Sequence, residues 1–254
     1  MGFYDLPKDQ RDILVDEINK EIAGDIKTGK KTFLMLFFSD EDTYIRKTAY
    51  LAIGKIYTAY KKLQKSIITV LETLLNENDP KIRQTVVNAA GEIGKYDFDI
   101  VQHFFDTGLF DEHHSVRNAV IGSMKKMGEK NPAPVIEWSK KFLHHPDKEI
   151  RREICHGIEL RGRTHPQEVL PLLHELQYDK TKRVRWTLVH VIGQISYKKG
   201  CLETVMNDVL KWENKELIAD AIEEIIDVHY RYRNFSYYTQ DQAKALIKQI
   251  TANC

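Results

Sequence analysis

The apolar positions of this 254-residue chain recur at helical spacing, and the helices they predict follow one another at regular intervals. Ile13, Leu14, Ile18 and Ile22 mark one face of a helix over residues 8–23, with Gly24 and Gly29 at its exit. An apolar helix over 31–38 ends in the acidic turn SDEDT, and a third runs from 44 to about 60. Further helices are expected near 62–75, 98–108, 133–143, 167–176 and 202–212, each the first member of a pair.

The regularity becomes a repeat when the second helices are aligned. A branched residue followed by Arg recurs as Ile45-Arg46, Ile82-Arg83, Val116-Arg117, Ile150-Arg151 and Val184-Arg185, at separations of 37, 34, 34 and 34 residues. Such a period holds two short helices and two turns. Six residues before each Arg stands Asp40, Glu77, Asp111, His145 or Asp179, and eight residues after it Gly54, Gly91 and Gly193 recur. A sixth copy, ENKELIADAIEEIIDV, keeps Ile218 but carries Ala219 where the Arg belongs, as a terminal repeat would. The aromatic and basic stretch HYRYRNFSYY (229–238) follows as a connector, and then a capping helix over 241–250.

Composition narrows the class of protein. Lys plus Arg number 38 and Asp plus Glu 37, so any attraction for a polyanion must be local. With 42% hydrophobic and 30% charged residues the chain reads as a soluble helical protein. Its longest apolar run, 33–38, falls far short of the roughly 20 residues that span a bilayer. Residues 1–21 are too polar for a signal peptide, so a cytoplasmic location without membrane contact is expected. Cys155, Cys201 and Cys254 lack CxxC spacing and are odd in number, which argues against a disulfide framework or a zinc site; Cys155 reads as a core residue. GxSxG, P-loop and GxGxxG motifs are absent, and no cofactor is implied.

The repeated Arg, its preceding acid and the AxxAxG-like pattern in RKTAYLAIG and RQTVVNAAG resemble HEAT repeats over 31–229. That resemblance implies an all-α fold, an α-solenoid of about six helix pairs in a right-handed curved superhelix. The whole chain is then a single domain: an N-terminal cap to 30, repeats over 31–228, and a connector with capping helix over 229–254. No helix pair buries its apolar face alone, so stacking must supply the core. The Arg–acid pairs then read as a structural ladder between turns.

Function is sought where the repeats differ, along the second helices. In the fifth, Val184, Leu188, Val191, Ile192 and Ile195 form the buried stripe, leaving Trp186, His190, Gly193 and Tyr197 on an adjoining face. The register gives three columns: Lys47, Gln84, Asn118, Arg152 and Trp186; Leu51, Asn88, Gly122, His156 and His190; Gly54, Gly91, Lys125, Glu159 and Gly193. They turn basic and aromatic toward the C-terminal half, and between 140 and 200 basic residues exceed acids by about six, the kind of patch that meets a phosphate backbone.

The stretch EIRREICHGIELRGRTHPQEVLPLLHELQYDKTKRVRWTLVHVIGQIS further resembles the HEAT-like DNA alkylation repair proteins, the alkylpurine DNA glycosylases. The resemblance spans 145–200 and implies duplex DNA as partner, with carboxylates stabilising the cationic sugar as an alkylated base departs. His156 and Gln194 stand where one branch of the family has Glu and Asp, so Glu153 and Glu159 are the remaining catalytic candidates. The DNA-binding candidates are Arg152, His156, Arg161, Arg163, Trp186, His190, Lys198 and Lys199. A di-iron HEAT enzyme would need several His-Glu dipeptides, and only His174-Glu175 occurs, so no metal site is expected. Three readings stay open: a DNA-binding module, a monofunctional glycosylase and a protein-binding scaffold.

Overall fold

Four of the second helices begin at a side chain that caps them at the same register position. In a computed structural model describing residues 2–252, Asp42, Asp79 and Asp147 accept from the amides of Tyr44, Lys81 and Glu149, and His113 accepts from Ser115. These caps stand four residues before the repeated Arg and satisfy amides that the helix itself leaves unpaired. The described residues form helices and turns with no strand.

The chain divides into two compact units, Met1–Asn131 and Pro132–Cys254. In the first, α1 (Lys8–Thr28) precedes three helix pairs: α2 (Thr32–Phe38) with α3 (Thr43–Ala59), α4 (Gln64–Leu75) with α5 (Pro80–Gly94), and α6 (Phe98–Gly108) with α7 (His114–Lys130). α1 runs through Gly24 and stops at Gly29, whose φ of 71° ends the helix in the left-handed region. The second helices stack α3 on α5 on α7. Ile53, Leu71, Val86, Ile93, Phe104 and Val120 are buried between the layers, each contributing about 1.5–3 kcal/mol by leaving water.

The second unit holds α8 (Pro132–Lys140) with α9 (Lys148–Gly157) and its one-turn continuation α10 (Glu159–Gly162), α11 (Pro166–Glu175) with α12 (Lys182–Gln194), and α13 (Cys201–Val209) with α14 (Lys215–Arg231). α9, α12 and α14 stack in order, and α15 (Gln240–Ala252) closes the last pair by burying Ala243 and Ile247 against it. This is the all-α, HEAT-like α-solenoid expected from the repeat, three pairs to a unit. His229 belongs to α14 rather than to the connector: it is fully buried, and its Nδ1 lies 2.8 Å from the Ile225 carbonyl. The connector packs back, with Tyr232 stacked on Tyr197 at 5.3 Å between ring centroids and Tyr238 donating to Glu203.

The ladder has a definite chemistry. Arg46, Arg83, Arg117 and Arg151 each donate to main-chain carbonyls five and six residues earlier, as Arg83 does to Glu77 and Asn78 and Arg151 to His145 and Pro146. In two of them the remaining nitrogens reach the acid of the following repeat, Arg83 to Asp111 at 2.7 Å and Arg151 to Asp179 at 2.5 Å. The residue six before an Arg thus serves its own repeat through a carbonyl, which any residue supplies, so His145 is tolerated there. Burial alone would raise Asp111 and Asp179, but their arginines and local amides hold both below the usual carboxylate range.

The glycine column has an equally local cause. A Cβ at Gly54 would come within 2.7 Å of Glu92 Cβ, and at Gly91 within 2.6 Å of Ser123 Cβ. At Gly193 it would meet Glu224 Cγ at 2.6 Å. Adjacent second helices approach so closely there that a side chain must be missing.

Candidate functional site

The candidate residues of the second unit gather along α9, α10, α12 and α14. The 34-residue period places His156 on α9 beside His190 on α12, their ring centroids 6.2 Å apart. Three residues beyond His156 comes Glu159, at the column position that holds glycine in three other repeats. The helix is interrupted there, between Gly157 and Glu159, where a carboxylate enters a space that the other repeats close. Glu159 is only 2% exposed; its Oε2 lies 3.0 Å from His156 Nε2, and its Oε1 accepts from Arg163 Nη2 at 2.5 Å.

Most of the predicted cations are occupied by carboxylates. Arg152 donates to Glu149 at 2.9 Å and approaches Glu153 at 3.5 Å, and Arg183 reaches the other oxygen of Glu149 at 3.0 Å. Arg161 grips Glu168 with two bonds of 2.9 and 2.6 Å, which hold that carboxyl below its usual range. Arg163 bridges Glu159 and Gln194 Oε1, the latter at 2.7 Å. Lys198 lies over the Tyr197 ring at 5.0 Å and Lys199 over Tyr237 at 5.7 Å, with Lys199 exposed. Glu153, like Glu159, is 2% exposed and faces the interior rather than solvent.

Two residues expected on the open face are covered. Gly193 is buried by Glu224, and Tyr197 is buried under Tyr232. The five apolar residues assigned to the buried stripe of α12 are all fully buried, as is Cys155, whose thiol is pushed up by burial and so stays protonated and unreactive. Cys201 is buried as well, and Cys254 lies outside the described residues.

Trp186, by contrast, is 75% exposed. It lines a groove of about 710 Å³ between α12 and α14 with Lys182, Arg185, Val189 and five acids, Glu216, Asp220, Glu223, Glu224 and Asp227. Glu216, Asp220, Glu223 and Asp227 recur at helical spacing, so they form one acidic stripe along α14. Arg185 answers Asp220 at 2.7 Å, and Arg231 binds both Glu224 and Asp227. The sixth repeat has lost its Arg to Ala219, and the acids of α14 dominate the groove. Arg185, counted in the basic excess along 140–200, is therefore met in space by acids that lie after it in the chain.

The helix pairs, their Arg–acid rungs and their glycine contacts define a HEAT-like repeat protein. Residues 32–109 match the family model of Cnd1, non-SMC mitotic condensation complex subunit 1. Among solved structures the chain is similar to AlkD2 from Streptococcus mutans, with 17% identity over 82% of this chain and 96% of that one and a TM-score of 0.54. It is also similar to a chain of the Pds5–Scc1 complex, at 13% identity over 89% of this chain and 36% of that one, with a TM-score of 0.47. No curated protein matches the sequence. No helix among the described residues is long and apolar enough to cross a membrane.

Proposed function

We propose that this chain is a HEAT-like repeat binding module whose α12–α14 groove docks a lysine- and arginine-rich segment of a protein partner. The observation that carries this reading is the open indole of Trp186 beside the acidic stripe of α14. A guanidinium or ammonium over an indole face gains about 0.5–1 kcal/mol when exposed and about 2 when desolvated. Glu223, with the exposed carboxylates of Glu216 and Asp220 that share the single cation of Arg185, supplies the complementary charge that steers and registers such a segment.

Duplex DNA binding, with alkylpurine glycosylase action through Glu153 or Glu159 as its enzymatic form, is the second reading. It is supported by the sequence resemblance over 145–200 and by the exposed Lys199 beside the half-buried Lys198. Against it stand the carboxylate partners of Arg152, Arg161 and Arg163 and the burial of both glutamates.

One titration separates the two. Trp138 and Trp212 are buried, so a change in exposed-indole fluorescence reports on Trp186 alone. A Lys/Arg-rich peptide is expected to quench or blue-shift that emission, with binding weakened by about 1–2 kcal/mol in Trp186→Ala. Salt-sensitive binding of a short duplex, undiminished in Asp220→Lys/Glu223→Lys, together with no peptide binding, sinks the protein-docking reading.

A further inference from the structure

We infer that His156, His190 and Glu159 form a binding site for one divalent first-row transition metal ion of the Zn2+ class. One ligand atom from each of the three lies within 4.8 Å of the others, and His156 Nε2 is already 3.0 Å from Glu159 Oε2. Ligand bonds to Zn2+ of about 2.0–2.1 Å put neighbouring donors roughly 3.3 Å apart in a tetrahedral shell. Small side-chain rotations therefore close the triad, without backbone movement.

The fold builds this geometry from two independent spacings. Equivalent positions on stacked helices α9 and α12 bring the histidines together, while Glu159 follows His156 by one helical turn. The carboxylate is buried but the two imidazole side chains are each 34% exposed, so an ion enters from solvent and keeps open coordination positions there. Two imidazoles with one carboxylate suit Zn2+, Co2+ or Ni2+ and are poorly matched to Ca2+ or Mg2+, which favour all-oxygen shells.

The surroundings fit as well. Glu224 Oε1 lies 3.4 Å from His190 Nδ1, the carboxylate partner that metal-bound histidines use to fix ring orientation. Arg231 holds Glu224 at 2.5 Å, and the missing side chain of Gly193 lets it approach α12. Arg163 Nη2 lies against Glu159 Oε1 at 2.5 Å, while Oε2 faces His156 Nε2 at 3.0 Å. That neighbouring cation lowers the affinity, and micromolar binding is the expected range.

Calorimetric titration of the chelator-stripped full chain with Zn2+ tests the site, with the visible spectrum of the Co2+ form as a second readout. One ion per chain is expected. His156→Ala and His190→Ala should each weaken binding by at least about ten-fold and remove the Co2+ bands, and Glu224→Gln should weaken it by about ten-fold. His144→Ala, in an exposed His–Glu pair at 2.8 Å, should change nothing. If either alanine variant loses its helical circular dichroism, His156→Asn and His190→Asn take its place. Absence of binding to the native chain, or undiminished affinity in both histidine variants, overturns the inference.

Discussion

Two glycines on stacked helices should respond to the same substitution with opposite signs. At Gly91 on α5 an added methyl would sit 2.6 Å from Ser123 Cβ and 3.3 Å from Ser123 Cα on α7. Carbon atoms rest at about 3.5–4.0 Å, and a Cβ cannot rotate away, so the helices must part by about 1 Å. Overpacking of this kind costs about 1–3 kcal/mol, set against a gain of about 0.4–1 kcal/mol for replacing a helical glycine by alanine. Gly91→Ala should therefore lose about 1–2 kcal/mol. At Gly122, on α7, nothing lies within 4 Å of the new methyl, so Gly122→Ala keeps only the gain. Urea unfolding of both variants measures the difference, which should be about 2 kcal/mol. Adding Ser123→Gly to Gly91→Ala should recover at least about 1 kcal/mol of coupling in a double-mutant cycle. Equal shifts for the two variants, or a Gly91→Ala chain as stable as the native one, would refute the close-approach argument.

Asp179→Asn leaves Arg151 without its buried carboxylate partner and should cost about 2–4 kcal/mol at pH 7 by urea titration. Because the folded-state pKa of Asp179 is depressed, this stabilisation is present above the ordinary aspartate range and lost as pH falls through the lowered value, so the variant and native chains should converge in strong acid. His229 is held below its ordinary pKa by burial, only partly countered by its contact with the Ile225 carbonyl. The native chain should thus lose stability as pH falls from about 6.5 toward the lowered value. His229→Leu should flatten that loss in thermal melts at pH 7.5 and 5.5, and an unchanged slope would count against it.

What was legible in the sequence followed from local rules and from period. Helix 98–108 matches α6 at both ends, and the apolar stripe of α12 is buried as its spacing predicts. Boundaries slipped where the signal was ambiguous: α1 runs on through Gly24, since an isolated glycine does not end a helix, and α8 stops before the expected end at 143. The capping column at Asp42, Asp79, His113 and Asp147, four residues before four of the five arginines, is a boundary signal that apolar spacing alone does not carry.

The site was harder to read because its chemistry depends on which charges meet across repeats. Counting charges between 140 and 200 gives a basic surplus, yet Glu149, Glu159 and Glu168 already bind arginines from that window, and α14 contributes a further acidic stripe. A linear window sums charges that the fold pairs, so it cannot tell a binding surface from a set of closed ion pairs. The period itself carried more information than the window did. Taken in register, it sets His156 against His190 and shows Glu159 replacing a glycine, whereas a search for His-Glu dipeptides passes over all three residues. In a repeat protein, then, departures from the pattern at adjacent register positions are the sharper guide to a site, because stacking makes them spatial neighbours.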